Sequence, residues 1–210
     1  MKWRCLAAVV TALLTGGAPP AAAGTIILEG IAFSDELGGF VLLEGHGSGS
    51  LDDPFVLVEE ITGDRPAIMT IRGLSTAFGN RIGSHHAAGF ALTKIVRNGT
   101  DQSWSAYNLE LREIITAHSP YEDGLSFGQG SQSGRPFASD RYSAATEHDE
   151  PYDGVSFSGG LVRPGETAVF SFVVTDALPK PLIFLLQKRA APIAGVAPDD
   201  IANRVVIVSR

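Results

Sequence analysis

The sequence predicts an all-β fold, an antiparallel β-sandwich, and three observations lead to that prediction. Short apolar runs recur along the chain, and Gly, Pro, Asn and Asp separate them. No segment shows a convincing apolar period of an amphipathic helix. The chain has 210 residues, 44% of them hydrophobic, which is enough for one sizeable core. Many short strands with regular turn signals are typical of sandwiches.

Residues 1–23 are expected to form an export signal peptide that is cleaved. Two basic residues precede an apolar stretch at 6–14, and Ala21–Ala23 supply the small residues of a cleavage site. Cleavage before Gly24 would remove two positive charges and the single cysteine, and so change the formal net charge from −7 to −9. An acidic, cysteine-free exported chain fits a bacterial periplasm or cell exterior. No later apolar run has the length of a transmembrane helix, so the mature chain is expected to have none.

Residues 24–210 are expected to form a single domain with a long acidic loop at 117–153. That loop is rich in Ser and Gly and carries seven acidic residues against two arginines. A loop of this length inside a compact domain is usually functional or disordered. The acidic balance of the whole chain argues against nucleic acid as a partner, because nucleic-acid binding needs a basic face.

Each strand is predicted from its own apolar run. The runs lie at Ile26–Leu28, Phe40–Leu43, Phe55–Val58, Ala67–Ile71, Phe90–Val96, Trp104–Leu111, Val155–Phe157, Ala168–Val174, Leu182–Leu186 and Val205–Val208. The run at 168–174 is largely apolar on both faces, which predicts a central strand. The turn residues of 62–66 and 98–99 predict two hairpins between the strands that they join. Trp104 and Tyr107 are expected to pack in the core.

One short motif occurs twice. The pattern Asp-Gly-apolar-Ser-Phe runs over 123–127 and again over 153–157. Two copies do not make a repeat protein. They predict one local arrangement used twice, an Asp-Gly turn that leads into a strand whose Phe points inward.

Two turn motifs carry a resemblance to a known family. Residues 95–100 read Ile-Val-Arg-Asn-Gly-Thr ahead of Trp104, and residues 161–167 read Leu-Val-Arg-Pro-Gly-Glu-Thr ahead of an alternating strand. On these motifs the stretch 91–176 resembles a bacterial exported immunoglobulin-like domain of the kind found in proteobacteria. The resemblance implies a sandwich and a role in adhesion, matrix or spacing, with no catalytic residues. The predicted strand order is immunoglobulin-like or jelly-roll-like.

The acidic loop supplies candidate ligands for calcium, which takes six to eight oxygens from carboxylates, carbonyls and water. The candidate calcium ligands are Asp123, Asp140, Asp149, Glu150 and Asp153. The last three lie close in sequence, and the first two would join them if the two Asp-Gly turns were side by side. The alternative is a solvated loop whose Asp residues cap turns. A transition-metal site formed by His118, His148 and Glu150 is a further alternative.

Three tyrosines of the same loop are candidate ligand-binding residues. Tyr121, Tyr142 and Tyr152 would be exposed there, and exposed aromatic rings serve in binding surfaces. The expected partner is a polysaccharide or another surface protein.

Three functional classes follow from the sequence. The first is an exported, non-catalytic sandwich that acts as a binding module or as a surface or matrix structural module. The second is a sandwich-fold enzyme that acts on polysaccharide with paired carboxylates from Glu59, Glu60, Glu110 and Glu113. The third is a structural subunit that donates an edge strand to its neighbour. The sequence has no coherent catalytic set, so it favours the first class and leaves enzymatic activity open.

Overall fold

The computed structural model describes residues 23–128, 137–148 and 152–192. Thirteen strands make up most of that part of the chain. They are β1 (Thr25–Leu28), β2 (Ile31–Ser34), β3 (Phe40–His46), β4 (Phe55–Ile61), β5 (Ala67–Arg72), β6 (Ala88–Asn98), β7 (Ala106–Arg112), β8 (Leu125–Ser126), β9 (Ala138–Ser139), β10 (Tyr142–His148), β11 (Gly154–Gly160), β12 (Thr167–Asp176) and β13 (Leu182–Ala190). A single turn of 3-10 helix at Tyr121–Asp123 precedes β8.

The strands form two sheets packed face to face, which confirms the predicted all-β sandwich. Sheet A has the strand order β1-β2-β5-β13-β7-β11-β10 with antiparallel neighbours throughout. Sheet B has the order β3-β4-β6-β12-β8, and β9 also pairs with β12. One pair in sheet B, β4 with β6, is parallel, so the sandwich is not antiparallel throughout.

The core consists of the residues that alternate inward from both sheets. Phe170 of β12 is fully buried, and its ring stacks on the Tyr107 ring with centroids 4.5 Å apart. The Phe157 ring meets the Phe170 ring edge-on, with centroids 5.0 Å apart. Trp104 is also buried, so both aromatic residues predicted to pack in the core do so. Strand β12 runs between β6 and the two short strands β8 and β9, which confirms its predicted central position.

Both predicted hairpins are wrong, because each connection crosses from one sheet to the other. Residues 62–66 join β4 of sheet B to β5 of sheet A, and Asn98–Gly99 begins the connection from β6 of sheet B to β7 of sheet A. The Asn98 side-chain amide donates to the carbonyls of Gln102 at 2.8 Å and Val162 at 3.1 Å. These hydrogen bonds hold the connection from β6 to β7 against the loop between β11 and β12, which contains Val162. Alternation in the sequence identifies the inward side of a strand, but it does not identify the strand beside it.

The segment 117–153 was predicted as a loop, yet it contains three strands. Strand β10 pairs with β11 from Tyr142 to His148 and forms one edge of sheet A. Strands β8 and β9 add short stretches of pairing to β12. The sequence of β10 is rich in small and polar residues, because much of this edge strand is solvent-exposed. Strand β10 therefore lacks the apolar run from which the other strands were predicted.

The repeated motif is used in two different ways. Phe127 and Phe157 are both buried, which confirms the predicted inward position of the Phe. Gly124 adopts a left-handed conformation with φ of 76°, as an Asp-Gly turn requires. Gly154 instead begins strand β11, so the predicted turn at the second copy is wrong.

Candidate functional site

The outer face of sheet A carries a buried carboxylate near the middle of the sheet. Tyr107, Leu109 and Leu111 of β7 point into the core, so Glu110 between them points outward. The residue is nevertheless only 1% exposed. Basic side chains of β7 and β13 and the His118 imidazole surround it. We call the cluster the sheet A site, and its members are Glu110, Arg112, His118, His148, Tyr152, Ser156 and Lys188.

Both oxygens of the Glu110 carboxylate are hydrogen-bonded. Oε1 accepts from Arg112 Nε at 2.5 Å and lies 2.7 Å from His118 Nδ1. Oε2 accepts from Lys188 Nζ at 2.6 Å. Burial on its own would raise the pKa of Glu110, but the hydrogen bonds from Arg112, Lys188 and His118 outweigh it and lower the pKa. Glu110 is thus held as a carboxylate that fixes three flanking groups in place.

Tyr152 lies over the start of β11, beside this carboxylate. A Cβ atom built on Gly154 would come 2.5 Å from Tyr152 Cε1, so the ring packs directly on the glycine backbone. The His118 ring meets it edge-on with centroids 5.4 Å apart, and the His148 ring lies 5.7 Å away. Burial, followed by the negative charge of Glu110, raises the pKa of the Tyr152 phenol. The phenol stays protonated and remains a hydrogen-bond donor near neutral pH.

His148 completes the site on the edge strand β10. Its Nε2 lies 2.9 Å from the Ser156 hydroxyl of β11. The site therefore combines one half-buried aromatic ring, two imidazoles, one hydroxyl and the ammonium of Lys188, whose side chain is 37% exposed. An aromatic ring flanked by hydrogen-bonding groups suits a ligand that has both an apolar face and hydroxyl groups, as a sugar ring has.

The three predicted ligand-binding tyrosines lie in three different environments. Tyr152 belongs to the sheet A site. Tyr121 is 65% exposed in the 3-10 turn before β8. Tyr142 is only 5% exposed, and its hydroxyl donates to the Trp104 carbonyl at 3.2 Å. Tyr142 is thus a core residue rather than the exposed aromatic that the sequence predicted, because β10 turns its ring inward to stack near Phe170.

The predicted calcium ligands do not all come together. Asp140 Oδ1 accepts from the Val169 amide at 2.7 Å near the start of β12. Asp123 Oδ1 accepts from the Leu125 amide in the turn at Gly124. The Gly124 carbonyl in turn accepts a hydrogen bond from the amide of Ala177, just beyond the end of β12. A strand of that length places the two carboxylates about 25 Å apart, so they cannot share one ion. Each caps backbone amides, as the alternative of a solvated loop with capping Asp residues expected.

The other three candidate calcium ligands are Asp149, Glu150 and Asp153. Asp153 is only 3% exposed, at the start of sheet A's strand β11. Asp149 and Glu150 lie outside the described residues, so the calcium prediction on Asp149, Glu150 and Asp153 stays a prediction. Within the described residues, no group of three or more His, Cys, Asp or Glu side chains is arranged to hold a metal ion. The His118 and His148 rings both lie near Tyr152, but Glu150 lies outside the described residues, so their predicted metal site with Glu150 likewise stays a prediction.

The carboxylates considered for catalysis are separated by the sandwich. Glu59 points into the core and Glu60 points to the opposite side of β4, where Arg97 Nη1 lies 3.2 Å from it. Glu60 is thus the partly solvated member of the pair, as predicted. Glu110 is held in the sheet A site. Burial raises the pKa of Glu113, and the charges of Asp123 and Asp176 raise it further.

Three residues of the sheet A site, Arg112, Ser156 and Lys188, were missed by sequence reasoning, because they had no signal beyond their charge or polarity. His118 and His148 were considered only as metal ligands. The alternation of β7 does place Arg112 on the same face as Glu110. Lys188 is 78 residues away from Glu110 in the sequence, and only the pairing of β7 with β13 brings them together.

Comparison with known proteins identifies no relative of this chain. No family model, no curated protein and no solved structure matches it. Within the described residues, no helix is long and apolar enough to span a membrane.

Proposed function

We propose that this chain is an exported, non-catalytic β-sandwich that serves as a binding module, and that its sheet A site binds polysaccharide. The observation that carries the proposal is the Tyr152 ring, flanked by His118 and His148 and held next to a carboxylate that fixes its neighbours. Glu110, Arg112, His148, Ser156 and Lys188 lie on strands, so this part of the site needs little reordering when ligand binds, which favours affinity.

The local charge of the site favours an anionic glycan. Arg112 and Lys188 are two cations around the single carboxylate of Glu110, so these groups leave one positive charge in excess. The chain as a whole is acidic, with a formal net charge of −7. A local positive site on an acidic protein draws negatively charged ligands to one place. A polyuronate is therefore the ligand class expected to bind more tightly than a neutral glucan.

The test is calorimetric titration of the purified chain with alginate, an anionic polyuronate, and with dextran, a neutral glucan. We expect alginate to bind, and 0.5 M salt to weaken it because exposed charges are screened. Tyr152→Ala should lower the affinity for alginate at least tenfold. Tyr121→Ala is the matched control, since it removes an exposed tyrosine that is not part of the sheet A site and should leave affinity unchanged. Equal losses in both variants, or no binding of either glycan, would contradict the proposal.

Export is the second part of the proposal. It rests on the basic and apolar residues of 1–23 and on the small residues at Ala21–Ala23. Expression in a bacterial host with fractionation tests it. The exported protein should begin at Gly24 when its mass is measured, and retention of the full chain in the cytoplasm would contradict export.

Hydrolysis of polysaccharide remains the second candidate function, and one observation favours it. Burial raises the pKa of both Glu113 and Asp176, and the charge of Asp123 adds to the shift in each. A carboxyl with a raised pKa beside a second carboxyl is the arrangement that a general acid in glycoside hydrolysis requires. Release of reducing ends from alginate or dextran, lost in Glu113→Gln but kept in Tyr121→Ala, would favour this second function over the first.

A further inference from the structure

Four polar side chains meet inside the core, away from the sheet A site. Sheet B contributes Glu59 from β4 and Lys94 from β6, and sheet A contributes Tyr107 from β7 and Gln187 from β13. All four are 0% exposed. A buried ammonium and a buried carboxylate are costly to hold between two apolar sheets, even as a pair.

The contacts give each group a distinct place. Lys94 Nζ lies 2.8 Å from Glu59 Oε1 and donates a hydrogen bond to the side-chain carbonyl oxygen of Gln187. Tyr107 donates its hydroxyl to the same carbonyl oxygen at 2.5 Å. The Gln187 amide nitrogen lies 3.5 Å from Glu59 Oε2. Glu59 thus touches both the amine of Lys94 and the amide nitrogen of Gln187.

We propose that Lys94 and Gln187 join in an intramolecular isopeptide bond that links sheet B to sheet A, with Glu59 as the proton carrier and Tyr107 as the donor to the carbonyl oxygen. Lys94 Nζ is the nucleophile and Gln187 Cδ is the carbon that it attacks. A lysine amine becomes a nucleophile when it is desolvated. Burial lowers the pKa of Lys94, in part offset by the charge of Glu59, and so favours the neutral amine.

The step balances without any further reactant. The Lys94 ammonium gives one proton to Glu59, and the neutral amine forms the new bond between Nζ and Cδ. The carbonyl oxygen becomes an oxyanion, which the Tyr107 hydroxyl stabilises. Glu59 passes its proton to the amide nitrogen of Gln187 and accepts the second proton from Nζ. The bond between Cδ and Nε2 breaks, ammonia leaves, and Glu59 ends protonated.

The reaction has a physical benefit for this fold. It replaces a buried ion pair by an amide and a neutral carboxyl, so the core no longer holds charge. It also closes a covalent link between positions 94 and 187, which lie in different sheets. The single cysteine lies at position 5, within the predicted signal peptide, so a disulfide is not available to the rest of the chain.

Intact-mass spectrometry of the purified chain tests the bond directly, because loss of ammonia lowers the mass by about 17 Da. We expect this loss in the unaltered chain and in Lys180→Arg, the matched control, which alters an exposed lysine in the loop before β13. Lys94→Arg and Glu59→Gln should both have their full sequence mass. Tyr107→Phe should retain the loss in a smaller fraction of molecules, because only the oxyanion donor is removed.

Tandem mass spectrometry of a tryptic digest locates the bond, so the test does not depend on every variant folding. A branched peptide that joins the segments around Lys94 and Gln187 is the expected result, with no cleavage after Lys94. Recovery of Lys94 and Gln187 in two separate, unmodified peptides from folded protein would overturn the proposal. A loss of 17 Da that persists in folded Glu59→Gln would overturn the role given to Glu59.

Discussion

Replacement of Glu110 by glutamine tests whether this carboxylate organises the sheet A site. The variant keeps the size of the side chain but removes its charge. An amide nitrogen in place of Oε2 would set a hydrogen-bond donor against the ammonium of Lys188, which is also a donor. A hydrogen bond to a charged group contributes about 1.5–3 kcal/mol when it is protected from water. The side chains of Lys188 and His118 are 37% and 57% exposed, whereas that of Arg112 is 12% exposed. Screening by water reduces the first two contributions.

The expected cost of Glu110→Gln is therefore about 2 kcal/mol in the free energy of unfolding at pH 7, mostly from the contact with Arg112. For a domain of this size, that loss lowers Tm by about 4–8 °C. Thermal melts followed by circular dichroism measure it. A decrease in Tm of less than 1 °C would refute the reasoning, because it would mean that solvent replaces the contacts of Glu110 without cost.

The pH dependence of the same variant gives a second check. The pKa of Glu110 in the folded chain is lowered from its ordinary value of 4.5. The carboxylate therefore stabilises the fold fully above pH 4.5, and that stabilisation is lost as the pH falls through the folded pKa. The difference in Tm between the unaltered chain and Glu110→Gln should shrink as the pH is lowered from 7 to 3. A difference that stays constant over this range would contradict the assigned role.

Two further variants test the core and the placement of the aromatic ring. Phe170→Ala removes the ring that stacks on Tyr107, and we expect it to cost about 3–5 kcal/mol and to lower Tm by about 6–20 °C. Ile27→Ala, at a position 69% exposed on β1, should change Tm far less, and equal shifts in the two melts would contradict the core assignment. Gly154→Ala places a methyl group 2.5 Å from Tyr152 Cε1 and should displace the ring. Titration with alginate should show weaker binding although the tyrosine remains, and an unchanged affinity would mean that ring position is unimportant.

The sequence was sufficient for the parts of the fold that depend on local pattern. Alternation along β7 and β12 predicted that Tyr107 and Phe170 belong to strands, and burial of Tyr107 followed as expected. The two hairpins were wrong because the partner of a strand is decided by long-range packing. Strand β10 was missed because an exposed edge strand does not need an apolar run.

The candidate site was predictable only in part. Tyr152 was named from its place in an acidic segment, and the structure brings it into the sheet A site on Gly154. Glu110 accepts a hydrogen bond from Lys188, which a strand pairing brings from 78 positions away. Lys94 and Gln187 are separated by 93 positions and belong to different sheets, so no local pattern relates them.

The most direct test of the binding proposal is to map the ligand surface by NMR. Amide shifts of the isotope-labelled chain would be recorded while alginate oligosaccharides are added. We expect the changes to centre on Tyr152, Ser156 and Lys188 of the sheet A site, and to include Asn108, which pairs with both Ser156 and Lys188 on the outer face of sheet A. Changes confined to the outer face of sheet B, in the groove of about 160 Å³ lined by Ala91, Thr93 and Val173, would contradict the assignment.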